Sequence, residues 1–198
     1  MFRRINAFHW IGVITTIIFV LTSFFSHGPN TYRFAFLFLT PFLWGVYAMR
    51  DRLALHPFHF ALFAIALLIH NMGAFGFYRR TIFTVEFDTY VHYFFGFAGG
   101  SMVARGLDKR FALRGWQLCI ATLLLIMGVG ALHELMEYAS TLAMGPEKGM
   151  LKINDGDIYD TQKDLSNNLI GVITAYILYL VSRAYLNEPE GKSTKSLA

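Results

Sequence analysis

Two stretches in the second half of the chain hold the side chains that could do chemistry: His133-Glu134-Leu135-Met136-Glu137, and Asp155-Gly156-Asp157-Ile158-Tyr159-Asp160-Thr161-Gln162-Lys163-Asp164. The first lies inside a long apolar run, and the second leads straight into another. A carboxylate at membrane depth costs a few kcal/mol unless it faces protein, water, a cation or a proton. Acids gathered in such a place call for a counter-charge. Asp88 and His92 add a further pair in the first half of an earlier apolar run. Residues three or four apart share a helix face. Asp88 with His92, Glu134 with Glu137, His133 with Glu137, Asp157 with Asp160 and Asp160 with Asp164 therefore each offer two ligands on one stripe. Helical bundles that hold carboxylate-bridged metal pairs in their cores use the same device.

Many oxygens and a few imidazoles suit Mg, Mn, Fe or Zn. Cys119, the only cysteine, sits mid-run among Leu, Ile and Ala, which excludes a disulfide framework, a CxxC site and an iron–sulfur cluster. One or two divalent ions are expected on His92, Glu134, Glu137, Asp157, Asp160 and Asp164. His92, Glu134 and Asp88 are the expected catalytic groups, with His70, Gln162 and Asn168 behind the ligands as supporting hydrogen-bond partners. Arg79-Arg80 would hold a lipid phosphate over the metal; the plainer alternative is a pair anchored in the headgroups. For Asp157, Asp160 and Asp164 the plainer alternative is a solvated loop that caps a helix. Capping does not explain Glu134 and Glu137, which fall in the last turns of a helix, where the dipole disfavours acids.

The elements that must position these groups are membrane spans. Of 198 residues, 55 % are apolar, twenty are Phe and only 15 % are charged, more apolar surface than a soluble chain of this length can bury. The net charge of +4 comes from basic residues scattered over short connections, so a nucleic-acid partner is not indicated. The expected architecture is an all-α polytopic membrane protein with six spans: Ile5 to Phe25, Phe34 to Met49 with a kink at Pro41, Pro57 to Tyr78, Val85 to Ala104, Gly115 to Leu142 and Leu165 to Leu186. Residues 1–186 would form one transmembrane domain, and 187–198 a disordered cytoplasmic tail. Small residues at Gly96, Gly99 and Gly100 would let neighbouring helices approach closely.

Six spans put both termini on one side. Arg3, Arg4, Arg50, Arg52, Arg105, Lys109, Arg110, Arg114, Arg183, Lys192 and Lys195 share that side, against Arg33, Arg79, Arg80, Lys148, Lys152 and Lys163 on the other. Both termini are therefore expected in the cytoplasm. The same topology brings His70, Asp88, His92, Glu134, Glu137 and Asp164 from four helices into the outer leaflet.

Asp88-x-x-x-His92, Glu134-x-x-Glu137 and Gly156-Asp157-x-x-Asp160-Thr161-Gln162-x-Asp164, with His70 before Gly73, resemble the YjdF-like bacterial inner-membrane proteins. The resemblance spans helices three to six and implies a six-helix fold with no established activity. His133 departs from that pattern, which has an aromatic residue there, and is not assigned as a ligand. The ending Asp160-x-x-x-Asp164-x-x-Asn167-x-x-x-Gly171 is loosely similar to the VanZ-like membrane proteins, which implies an envelope-related role.

The favoured expectation is a metal-dependent membrane enzyme, a hydrolase of lipid or lipid-linked substrates at the outer face of the bacterial inner membrane, with membrane lipids as its partners. The alternatives are a cation- or proton-coupled transporter that uses the same carboxylates, and a structural or regulatory protein whose helix ends are tied together by an ion.

Overall fold

A computed structural model describes residues 6–26, 34, 36–145 and 159–186. Among these, the chain runs as α1 Ala7–Phe25, α2 Phe36–Ala48, α3 Pro57–Asn71, α4 Phe87–Phe111, α5 Gly115–Met144 and α6 Asp160–Leu186. A short antiparallel hairpin, β1 Thr81–Ile82 and β2 Val85–Glu86, separates α3 from α4. Asp157 and the tail 187–198 lie outside the described residues.

The bundle has the polarity of a protein that lives in lipid. On α1 the buried stripe is Gly12, Thr15, Phe19, Thr22 and Ser23, while Trp10, Ile14, Ile17, Leu21, Phe24 and Phe25 are exposed. Small and hydroxylated residues face the neighbours because no water drives the helices together, and close packing and side-chain hydrogen bonds do so instead. Thr16 shows this. Its hydroxyl donates to the Gly12 carbonyl at 2.8 Å and accepts from Trp44 Nε1 of α2 at 3.0 Å.

Four helices are long and apolar enough to cross a membrane, Ala7–Phe25, Pro57–Phe75, Gly115–Ala143 and Asp160–Arg183, and the chain is an all-α membrane protein. The two other expected spans differ in kind. α2 has 13 residues with Pro41 inside; at about 1.5 Å per residue it is shorter than about 30 Å of hydrocarbon. α4 has 25 residues, but it carries Asp88, Lys109 and Arg110 in its end turns and buries Phe87, His92, Gly96, Gly99, Gly100, Ala104 and Asp108 along its length. It is the central post of the bundle, enclosed by α3, α5 and α6. A helix shielded by protein need not be apolar all round.

Between α3 and α4 the chain does not continue as helix to Tyr78, nor does the next helix begin at Val85. α3 opens on Pro57, with the His56 side chain accepting from the Phe58 N–H at 3.3 Å. It then tightens to a 3-10 turn at Met72–Phe75, which Gly76 ends at a φ of 77°. After a second 3-10 turn at Phe77–Arg79 the hairpin pairs Thr81 with Glu86 and Ile82 with Val85. Its turn residues Phe83 and Thr84 both have positive φ, 50° and 69°. This is the twist a two-residue hairpin needs, here without the Asn or Gly that normally marks it. Tyr90 Oη donates to the Ile82 carbonyl at 3.0 Å and fastens the hairpin to α4. α6 starts at Asp160 rather than Leu165, so Asp160 and Asp164 are helical; acids in a first turn suit the helix dipole.

Two cores result. Phe19, Leu39, Leu43, Phe60, Phe63, Leu67 and Met102 join α1, α2 and α3 to α4. On the other side α4 and α6 touch backbone to backbone. A Cβ on Gly171 would stand 2.2 Å from the Tyr93 carbonyl oxygen, one on Gly96 would stand 2.2 Å from the Asn168 carbonyl oxygen, and Gly100 faces Val172 and Ala175.

Candidate metal centre

That close seam sets the spacing between side chains on the first turns of α4 and α6. Asp88 and His92 project from α4, and Asp164 from α6. His92 Nε2 lies 3.6 Å from Asp88 Oδ1 and 3.5 Å from Asp164 Oδ2. One ligand atom from each of the three falls within 4.8 Å of the other two. The His92 and Asp164 side chains are 7 % and 6 % exposed, and Asp88 is 25 % exposed, so the group is buried with one flank toward solvent.

One turn on along α6, Asn168 is buried at 1 % exposure against Gly130 of α5, and neither amide atom has a hydrogen-bond partner among the described residues. The last turns of α5 bring His133, Glu134 and Glu137 to the same end of the bundle. His133 Nε2 is 3.2 Å from Glu137 Oε1, and the His133 ring stands 6.2 Å from His92 and 6.0 Å from His70 between centroids. His70 Nδ1 is hydrogen-bonded to Tyr78 Oη at 2.5 Å. Glu134 is 5 % exposed, and both its oxygens lack a hydrogen-bond partner among the described residues. Glu137, His133, Thr161 and Asp160 act on Glu134, and Glu137, Asp160, Asp164 and Glu134 act on Asp88. The ends of α3, α4, α5 and α6 thus meet around one anionic, imidazole-rich centre.

The remaining candidates stand apart from it. Gln162 is exposed and lines an open cleft with Thr84, Glu86, Thr89, Ser166 and Asn167. Arg80 is exposed, its guanidinium 4.9 Å over the Phe77 ring, and the side chain of Arg79 lies outside the described residues. His133, passed over because of its departure from the family pattern, is instead the ring that links His70 to His92. Its spacing to Glu137 was the available signal. Tyr78, which holds His70, has no sequence signature.

At the opposite end of α4, buried Asp108 accepts a hydrogen bond from Tyr179 of α6 and pairs with Arg114, while Arg183 Nε lies 3.9 Å away. Arg105 Nε donates to the Ala54 carbonyl at 3.0 Å. One end of the post is acidic and the other basic.

A family model described as "Predicted membrane protein (DUF2238)" matches residues 7–184, nearly the whole described bundle. The chain belongs to this family. The match agrees with the YjdF-like resemblance carried by the acidic motifs. No curated protein and no solved structure matches the chain. Within DUF2238, then, this chain is a helical membrane protein with a carboxylate/histidine cluster at one end of its central helix.

Proposed function

We propose that the protein is a membrane-embedded enzyme in which Asp88, His92 and Asp164 hold a divalent cation, Zn, Mn, Fe or Mg, to hydrolyse a lipid or lipid-linked substrate. The observation that carries this reading is a pair of distances. At 3.5 and 3.6 Å the contacts from His92 to the two acids are too long for N–H···O hydrogen bonds, which run about 2.7–3.2 Å. They match the roughly 3.4 Å that separates two ligands of a tetrahedral ion with bonds near 2.1 Å. An ion there supplies the counter-charge that the buried acids need. Such an ion would lower the pKa of a bound water and polarise a phosphoryl or acyl oxygen.

The surroundings favour a lipid. Leu132, Leu135 and Met136 of α5 and Leu169 and Ile170 of α6 are exposed on the turns beside the centre, which gives an apolar approach from the bilayer. The cleft of Thr84, Thr89, Gln162 and Asn167 offers a polar bay for a headgroup at the same end, and Arg80 follows the adjoining 3-10 turn in extended backbone. In this reading α2 and α4 also cross, α2 with its flanking residues and α4 shielded by its neighbours, to make six spans in the bacterial inner membrane. Arg105, Lys109, Arg110, Arg114 and Arg183 mark the cytoplasmic end by the positive-inside rule. The metal then lies toward the outer leaflet, and both termini lie inside.

Metal analysis of protein purified under metal-replete conditions tests the reading. About one or more ions per wild-type chain is expected, with a loss on His92→Ala or Asp164→Asn; a metal-free wild type ends it. Release of product from bilayer phospholipids by the loaded protein tests the chemistry. Cation uptake into proteoliposomes without any turnover of lipid would replace hydrolysis with transport.

A further inference from the structure

The cleft between the hairpin and α6 is built differently from the anionic centre. Its volume is about 520 Å³, inside the roughly 300–1,000 Å³ of small-molecule sites. The hairpin, the first turn of α4 and the first two turns of α6 line it. Thr89 adjoins Asp88 in the chain and Lys163 adjoins Asp164, so the cleft uses the same helix turns as the triad. The Thr84 hydroxyl donates to the Phe83 carbonyl, and the Ser166 hydroxyl to the Gln162 carbonyl. With those protons used, both oxygens can only accept from a ligand, as can an ionised Glu86. Gln162 and Asn167 each carry an acceptor and two donors. The lining therefore asks for a ligand that gives several protons and also accepts some. An ionised phosphate has none to give, meets no arginine cluster in this lining and would face Glu86. A choline head has no N–H and is held by aromatic rings, which the described lining lacks. A primary ammonium only donates, and it would meet Lys163. Glu86 and Lys163 offset each other, which leaves the lining without net charge.

We infer that this cleft binds the uncharged sugar headgroup of a glycolipid. The inference deepens the lipid-substrate reading above and rests on it for the lipid, but not on the ion. Each sugar hydroxyl both donates and accepts, which matches the amides of Gln162 and Asn167 and the accepting oxygens of Thr84, Ser166 and Glu86. The surroundings favour a lipid-borne sugar over a free one. Phe83, the residue before Thr84, is 91 % exposed at the hairpin tip, and Leu169 and Ile170 are exposed on the turn of α6 after Ser166. In a chain that lives in lipid, acyl chains would lie along such apolar side chains while the sugar fills the polar cleft. The linkage between sugar and chains then comes to the helix turns that carry Asp88 and Asp164. The substrate class narrows to lipids that carry a sugar, and Gln162 and Asn167 are the residues that select it.

The test is native mass spectrometry of full-length, detergent-purified protein, stripped of metal by a chelator, with four lipids of identical acyl chains. These are a monoglucosyl diacylglycerol, phosphatidylethanolamine, phosphatidylcholine and phosphatidic acid. The glucolipid should bind about tenfold more tightly than each of the others, which takes one or two net hydrogen bonds. Asn167→Leu and Gln162→Leu should each lower its affinity about five- to tenfold and leave the other three lipids unchanged. Equal binding of all four overturns the inference. So does a preference for phosphatidic acid, which would make Lys163 a phosphate contact, or for either amine-bearing lipid. A glucolipid preference that survives both substitutions overturns it as well, because the sugar then sits elsewhere. The wild-type ranking decides even if a variant fails to fold. Methyl glucoside that competes as well as the glucolipid overturns the lipid source and leaves a sugar site. Metal is absent throughout, so a protein that never binds an ion fails the metal analysis above and leaves this ranking intact.

Discussion

Substituting Gly171 by alanine tests whether the seam between α4 and α6 sets the proposed metal centre. The added Cβ would stand 2.2 Å from the Tyr93 carbonyl oxygen and 2.8 Å from the Phe97 nitrogen, where ordinary contact begins at 3.4 Å. Both obstacles are backbone, so no side chain can swing aside, and the helices must part by about 1 Å to restore contact. Alanine gains up to about 1 kcal/mol in helix propensity, whereas overpacking costs about 1–3 kcal/mol, and a clash with backbone belongs at the upper end. The net loss should be about 2 kcal/mol, or about 4–8 °C in Tm for a chain of this size. Asp164 lies two turns before Gly171 on the same helix, and a shift of 1 Å exceeds the roughly 0.2 Å tolerance of metal–ligand distances. Metal affinity should fall 10- to 100-fold, within the range seen for disturbed supporting groups. Gly128→Ala is the matched control, because a Cβ there meets nothing within 4 Å; it should leave Tm unchanged or slightly raised. The assays are melting curves from tryptophan fluorescence and Mn²⁺ titration by calorimetry. A Gly171→Ala protein that melts and binds like Gly128→Ala would refute the argument that this approach spaces the ligands.

Glu134→Gln should melt higher than wild type, because burial penalises the carboxylate more than the amide; a lower Tm would show that its neighbours satisfy the charge. Removal of metal from the wild type with a chelator should cost the linkage term, about 2.7 kcal/mol when free ion had stood at one hundred times Kd, read as a fall in Tm that Mn²⁺ restores. At the basic end, Asp108→Asn strands Arg114 and Arg183. Loss of a buried partner costs about 3–5 kcal/mol, but the Arg114 side chain is 51 % exposed and Arg183 31 %, so water offsets part and about 2 kcal/mol is expected, with metal stoichiometry unchanged. Trp44→Phe removes the bond to Thr16 and should cost about 1 kcal/mol, measurable as a lower Tm without any effect on metal binding.

The parts of the centre that were legible in the sequence are those whose cost is local. Asp88 with His92 and Glu134 with Glu137 stand out because charged side chains in apolar runs are expensive and helical spacing puts each pair on one face. The expected alternation of six spans then places them at one end, and in the structure four helix ends meet there. What could not be read depends on groups distant in the chain. His133 matters because of His70 and His92, on two other helices. Asn168 matters because Gly96 and Gly130 let it sit between α4 and α5. Gln162 and Asp164 look equivalent as polar neighbours, yet two residues turn a helix by about 200°, and Gln162 faces the open cleft. The hairpin escaped for another reason: Phe83 and Thr84 adopt left-handed backbone that their residue types do not advertise.

The central helix explains why these features belong to one device. α4 carries Asp88 and His92 at one end and Asp108 at the other, with Gly96 and Gly100 between them. α6 matches it with Asp164, the Gly171 and Ala175 contacts, and Tyr179 with Arg183. The buried pairing at Asp108 fixes the relative height of the two helices, and the glycine strip fixes their separation. With two coordinates set away from the centre, the distances from His92 to Asp88 and Asp164 no longer depend on a bound ion to hold them. A preorganised site of this kind would bind the proposed ion without ordering the bundle afresh, and so more of the binding energy would remain as affinity. Loosening the basic end by Asp108→Asn should therefore leave stoichiometry intact while it weakens the Mn²⁺ affinity several-fold. A titration with unchanged Kd would mean that the glycine strip alone carries the alignment.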